Sequence, residues 1–299
     1  MRARGEAFEV FEPATRESET PVVVEVPHAG LDLAPQDLEP LAAPARAIAR
    51  DADLYVDALY EDAAAEGATA IVARASRYVV DVNRAETDVD ADVVEGARGD
   101  VSLQHGLVWR TTSDGEPALA RKLSRVELEE RLERVWRPYH RALAGLVERK
   151  RARFGLCLVL AAHSMPSVER RGARAVGGGG PSDKGDKTGS KQRADVVPGT
   201  RGRRSADPRF IDFVEEHARR RGWSVRHDDP YAGGFTTQHY GRPEQGVHVV
   251  QVELARRLYL DEVTLRQGPD FAGVRRWCRE LVAELGKLAG AGAPANRPG

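Results

Sequence analysis

The chain predicts a three-layer α/β/α fold around a mixed central sheet. Three observations lead there. Short β-rich apolar runs at 21–27, 69–73, 156–162 and 247–253 alternate with longer segments of helical period. Those runs end in polar residues, His28, His163 and Glu253 among them. At 299 residues the chain is also long enough to bury a sizeable core.

In chain order, residues 1–20 read as a polar lead-in and 21–290 as a single domain. The first strand, 21–27, meets a loop containing Pro35 and Pro40. Residues 51–66 carry Leu54, Val56, Ala58, Leu59 and Ala63 at helical spacing, with Asp51 or Asp53 near the N-cap. Strands are expected at 69–73 and 77–82. At 124–150, Ser124 with Glu127 three residues on forms a capping-box pattern, and Leu128, Leu132, Val135, Trp136, Leu143 and Leu146 continue one amphipathic helix. After the strand at 156–162, residues 169–204 form an insert rich in Gly, Arg and Lys, with ten Lys/Arg against four Asp/Glu. So polar a stretch cannot order itself by burial, and it is expected to be a mobile loop. A helix at 207–221, a short strand near 223–227, the strand at 247–253 and a helix at 269–289 complete the pattern.

Composition excludes several classes. A formal net charge of −1 gives no global field for nucleic acid or membrane surfaces, so neither partner is expected. Cys157 and Cys278 are the only cysteines, which excludes a disulfide scaffold and a cysteine-based metal site. No apolar stretch approaches the ~18 residues needed to span a bilayer, and no signal-peptide core is visible. A cytoplasmic enzyme is the expectation.

The chemistry concentrates at strand ends. His28 and His163, Asp51 or Asp53 between them, and Glu253 are residue types from which catalytic zinc sites are made. Each also has a plainer use: the histidines as hydrogen-bonded structural residues, the aspartates as a helix cap. The short zincin motif is absent. Alternation along 77–83 places Arg77, Val79, Asp81 and Asn83 on one side of a strand, with Arg84 at its end. An arginine fork matches a carboxylate, and a neighbouring Asn adds a directional hydrogen bond; the plainer use is a surface ion pair. Residues 228–243 form a turn-rich polar loop whose adjacent Gly233 and Gly234 let backbone approach a ligand.

These residues fall into an ordered set of motifs. Val26-Pro27-His28-Ala29-Gly30 is followed by Asp51-Ala52-Asp53 with Leu59-Tyr60, then Arg77 to Arg84, then Gly106 to Thr112. His163-Ser164-Met165-Pro166-Ser167, Asp229-Pro230-Tyr231, His239 to Pro243, and Gln251-Val252-Glu253 with Arg257-Leu258-Tyr259 complete it. In this order, over about residues 21–265, the chain resembles the N-formylglutamate amidohydrolases (deformylases) of histidine breakdown. The resemblance implies a fold related to the zinc carboxypeptidases (phosphorylase/hydrolase-like) and a zinc cofactor. It also implies metal ligation by His28, His163 and Asp53 or Asp51, and proton transfer by Glu253. Asn83 and Arg84 would grip a substrate carboxylate, with Tyr231 also in the substrate site. A substrate with two carboxylates needs a second cation, for which Arg77, Arg110 and Arg242 compete. The chain departs from the family pattern at Ala161, where an acid usually precedes the second histidine, and at Ala52, Thr200 and Gln238. The expected substrate is a small anionic amino-acid derivative, N-formyl-L-glutamate first. A related hydrolase for another acidic amide and a non-catalytic binding protein are the alternatives.

Overall fold

The computed structural model describes residues 7–97, 105–169 and 191–291. At its centre lies a six-stranded sheet in the order β1-β3-β2-β4-β6-β5. The strands are β1 (Phe8–Phe11), β2 (Val22–Val26), β3 (Thr69–Ala73), β4 (Cys157–Met165), β5 (Val196–Gly199) and β6 (Val247–Ala255). The inner four run parallel, and the edge strands β1 and β5 run antiparallel to their neighbours. This is the mixed sheet expected.

Every residue of the inner strands is buried. They are dense in Val, Ile and Leu because helices cover both faces, so neither face can be polar. One face carries Val22, Val24, Leu158, Leu160, Val250 and Val252 against α6 (Pro208–Arg220) and α8 (Phe271–Gly290). The other carries Val23, Val159, Ala161 and Val249 against Tyr139, Leu143 and Val147 of α5 (Arg137–Phe154). Each such Val or Leu is worth roughly 1.5–3 kcal/mol when fully buried. Three layers follow.

The shorter helices are α1 (Pro35–Leu38), α2 (Ala45–Asp51), α3 (Val56–Leu59), α4 (Arg125–Arg131) and α7 (Phe235–Tyr240). The capping box at Ser124 forms: its hydroxyl accepts from the Glu127 N–H at 3.2 Å, and the Glu127 carboxylate accepts from the Ser124 N–H at 2.7 Å. The single helix expected at 124–150 is α4 and α5 joined by one π-helical stretch, Leu132–Trp136. Pro138 stands in the first turn of α5 and has no N–H to donate back, which favours a widened turn. The π stretch and the end of α4 lie against the segment that follows β3: Trp136 Nε1 donates to the Arg84 carbonyl at 3.0 Å and Arg131 to the Val79 carbonyl at 2.8 Å.

Other elements differ from expectation. Asp51 ends α2 rather than capping the next helix, and α3 is four residues long. Residues 77–82 turn instead of extending: the Val79 N–H donates to the Ser76 carbonyl at 2.8 Å, and the Asp81 carboxylate then takes the Asn83 N–H at 2.9 Å in an Asx turn. The strand near 223–227 is a single bridge from Val225 to Val196. The lead-in contains β1, and the basic insert contains β5 at its end; residues 170–190, the bulk of the predicted mobile loop, lie outside those described. No helix among the described residues is long and apolar enough to cross a membrane.

His140 locks α5 to α7. Its Nε2 donates to the Val82 carbonyl at 2.8 Å, its Nδ1 accepts from the Tyr240 hydroxyl at 3.0 Å, and its ring packs against both Trp136 and Phe235. Burial lowers its pKa to about 4. A base whose folded pKa lies below its unfolded value loses stability as pH falls from the unfolded pKa toward the folded one. Unfolding stability should therefore drop by about 2 kcal/mol on this account between pH 7 and pH 5. Denaturant unfolding of wild type and His140→Gln checks it: the variant should lack that part of the acid sensitivity.

Candidate active site

The sheet order reverses between β2 and β4: β3 lies on one side of β2, β4 on the other. Ligand sites in such sheets form at the carboxyl ends of the strands at this switch point. His28 follows β2, and His163 lies near the end of β4 in register with Glu253 of β6. Asp53, just past α2, is tied to the first histidine by its N–H donating to the His28 carbonyl at 2.9 Å.

The three side chains converge. His28 Nδ1 and His163 Nδ1 are 3.2 Å apart, and Asp53 Oδ2 lies 3.1 Å from His163 Nδ1 and 3.6 Å from His28 Nδ1. All three residues are buried, and their ligand atoms could hold a metal ion together. A tetrahedral zinc with bonds of about 2.0–2.1 Å sets its ligand atoms roughly 3.3 Å apart. The observed spacing fits one face of that tetrahedron and leaves the fourth direction open.

Neighbours hold each member. His28 Nε2 donates to Asp81 Oδ1 at 2.8 Å, which leaves Nδ1 as the lone-pair side facing Asp53. Asp81 Oδ2 accepts from Arg77 Nη2 at 2.8 Å and from Trp109 Nε1 at 3.1 Å. Arg256 reaches Asp53 Oδ1 at 3.3 Å and the Ala52 carbonyl at 2.8 Å, turning Oδ2 toward the histidines. Asn83 Nδ2 lies 3.3 Å from His163 Nε2, and Asn83 Oδ1 accepts the Thr236 N–H at 3.0 Å. Gly234 is required there, since a Cβ would stand 2.4 Å from Asn83 Nδ2.

Burial and charge work against each other in this site. Burial pushes the Asp53 carboxyl up, but the facing imidazoles, His163 first, outweigh it and hold it well below the usual range. For His163, burial lowers the pKa, while Asp53 and the Glu253 charge raise it further than burial lowers it. Glu253 moves upward: burial dominates, opposed by His163 and reinforced by Asp53. Its Oε1 accepts from Gln251 Nε2 at 2.9 Å, and Gln251 Oε1 in turn takes the Gly234 N–H at 2.9 Å.

The other predicted residues divide clearly. Asp51 is not in the cluster; its Oδ2 accepts from the Tyr78 hydroxyl at 2.5 Å and the Ser113 N–H at 3.0 Å. Arg77 is committed to Asp81 and lies over the Trp109 ring. Arg110 pairs with Asp92 at 2.8 Å, and exposed Arg242 donates to the Gln238 and Gly241 carbonyls of its own loop. Arg84, beside Asn83, donates to the His105 and Asn83 carbonyls and forms no ion pair among the described residues. Tyr231 lies close enough to Glu253 and Asp53 for both charges to act on its phenol.

Sequence reasoning missed four contributors: Asp81 as the partner of His28, Arg256, Gln251 and Glu25. Glu25 is fully buried on β2, in register with Ala161, so a carboxyl stands beside the position where the family acid is missing. Its Oε1 accepts from the Thr236 hydroxyl at 2.9 Å and the Tyr139 hydroxyl at 3.1 Å. The available signal was an acid inside an apolar run, as in Val24-Glu25-Val26 and Val80-Asp81-Val82.

A buried His-Asp-His cluster that could hold a metal ion, with a neighbouring glutamate, at the switch point of a mixed sheet is a layout suited to a hydrolase. A sequence profile described as N-formylglutamate amidohydrolase matches residues 20–260. The N-formylglutamate deformylase of Pseudomonas aeruginosa is 34% identical over 271 residues, covering 89% of this chain and 92% of that protein. Its namesake from Pseudomonas putida is 33% identical over 81% of this chain and 82% of its own length. The crystal structure of N-formylglutamate amidohydrolase from Ralstonia eutropha JMP134 superposes with a TM-score of 0.84 at 29% identity, over 96% of this chain and 99% of that one. This chain belongs to the N-formylglutamate amidohydrolase family.

Replacing Asp81 by Asn leaves the Arg77 charge without its buried partner. The expected loss is about 3–5 kcal/mol of unfolding free energy, read from denaturant midpoints; a loss below about 1 kcal/mol would mean Arg77 finds another acceptor.

Proposed function

We propose that this chain hydrolyses the formyl amide of N-formyl-L-glutamate, giving formate and L-glutamate, with zinc held by His28, His163 and Asp53. The observation that carries this is the convergence of the three donor atoms at tetrahedral spacing, with Glu253 paired to His163 across the sheet. The names of the relatives at 33–34% identity support the substrate. Bound there, zinc supplies Lewis acidity toward an amide carbonyl and toward water.

The chain's own residues do the rest. Gln251 holds one oxygen of Glu253 and so aims the other. That oxygen takes a proton from water as the new C–O bond forms at the formyl carbon. It then delivers the proton to the amine nitrogen as the C–N bond breaks. Burial raises the Glu253 carboxyl toward the range where it both accepts and returns a proton readily. Asn83 and Arg84 hold a substrate carboxylate, because Arg84 is a guanidinium whose described contacts are neutral carbonyls.

Chelator-stripped protein should be inactive on N-formyl-L-glutamate and regain turnover with added zinc. Glu253→Gln should bind zinc normally and lose about 100-fold or more in kcat. Amine release and metal analysis read both outcomes. Failure of zinc to restore turnover would sink the metal assignment, and an unchanged kcat would remove the proton-transfer role from Glu253.

A further inference from the structure

A substrate with two carboxylates asks for two cationic contacts, and the structure leaves the second one open. Arg77 and Arg110 are neutralised by aspartates, and Arg242 is turned onto its own loop. Arg193 is different. Its Nη1 donates to the Pro166 carbonyl and to the Tyr231 hydroxyl, both at 3.1 Å, and its guanidinium lies 5.3 Å from the Tyr231 ring centroid. Its Nε is buried without a hydrogen-bond partner. Among the described residues no carboxylate lies within ion-pair distance of it.

Its backbone is fixed close to the site. The Arg193 N–H donates to the Ser167 carbonyl at 2.9 Å, and its carbonyl accepts from Arg257 Nη2 at 3.0 Å. Ser167 and Pro166 follow directly on β4, which carries His163. Tyr231 ties this guanidinium to the centre: its ring packs against the cluster that holds Met165 and Ala255, which end β4 and β6 two residues past His163 and Glu253. A partly buried cation with neutral partners and one unmatched donor keeps its charge available for an anion.

We infer that Arg193, set by Tyr231 and Pro166, supplies the second cationic contact and reads the side-chain carboxylate of a dicarboxylic N-formyl amino acid. This rests on the proposed amidohydrolase reading for its substrate class. It assigns Arg84 and Arg193 to different carboxylates, so loss of Arg193 should weaken selection for a charged side chain and spare recognition of the amino acid itself.

The test compares glutarate with glutaramate, in which one carboxylate becomes an uncharged amide of the same size. Binding is measured by calorimetry on the full-length, zinc-loaded chain. Wild type should prefer glutarate by at least about 10-fold, and Arg193→Met should erase that preference. Arg193→Lys keeps the charge without the planar fork and should retain part of it, which also decides the matter if the Met variant does not fold. In turnover, Arg193→Met should raise KM for N-formyl-L-glutamate about 10-fold or more and leave N-formyl-L-glutamine unchanged. A folded Arg193→Met that keeps the wild-type preference, or a wild type that shows none, overturns the assignment. Absence of N-formyl-L-glutamate turnover in the zinc-restored wild type defeats the function reading alone, because glutarate binding is read without turnover.

Discussion

The Asp81 carboxylate, wholly buried, is met by His28 Nε2 and the Asn83 N–H on one oxygen and by Arg77 and Trp109 on the other. An isolated charge in that place would be prohibitively costly, so the surrounding chain must bring it donors. In doing so it fixes the site. His28 is held with its Nδ1 toward Asp53. The turn through Asn83 is closed, which sets Asn83 against His163. Arg77 is drawn inward onto the Asp81 carboxylate. One buried anion thereby sets the orientation of a histidine, an amide and an arginine that come from two separate stretches of chain.

The sheet supplies the remaining rigidity. Parallel pairing of β2, β4 and β6 puts Glu25, Ala161 and Gln251 in one cross-strand row and His163 beside Glu253 in the next. Side chains two residues apart on a strand share a face, so this polar cluster grows out of the same surface that lower down packs Val23, Val159 and Val249 against α5. The tight core and the reactive end are continuous. Glu25 joins them: its carboxyl receives Tyr139 from α5 and Thr236 from α7, and Thr236 in turn holds Asn83. A position left as Ala161 on β4 thus has a carboxyl beside it from the adjacent strand.

Much of the fold was legible because burial leaves a direct record in the chain. The inner strands read as apolar runs since both their faces are covered, and the Ser124–Glu127 cap appeared as written. The misread segments share one cause. At 77–82 the alternation of apolar and polar residues looked like a half-exposed strand, yet Asp81 is wholly buried and bonded to His28 and Trp109, far from it along the chain. At 51–66 the apolar spacing was real, but left-handed Tyr55 breaks the helix, and its hydroxyl reaches the Leu265 carbonyl at 3.2 Å. Local pattern reports burial; it does not report what a polar group finds there.

For this protein, the sequence by itself determined the layered α/β class and brought His28, His163, Asp53 and Glu253 forward as candidates, since strand-end polar residues of those types are unusual without a purpose. It could not choose between Asp51 and Asp53, only two positions apart. The tertiary structure made that choice by giving Asp51 to Tyr78 and Ser113 and turning Asp53, through Arg256, toward the two imidazoles. It likewise sorted the arginines into those neutralised by aspartates and those left facing neutral groups. The reason is physical: which charge is matched depends on distances between residues tens to hundreds of positions apart, and those distances exist only once the chain has folded.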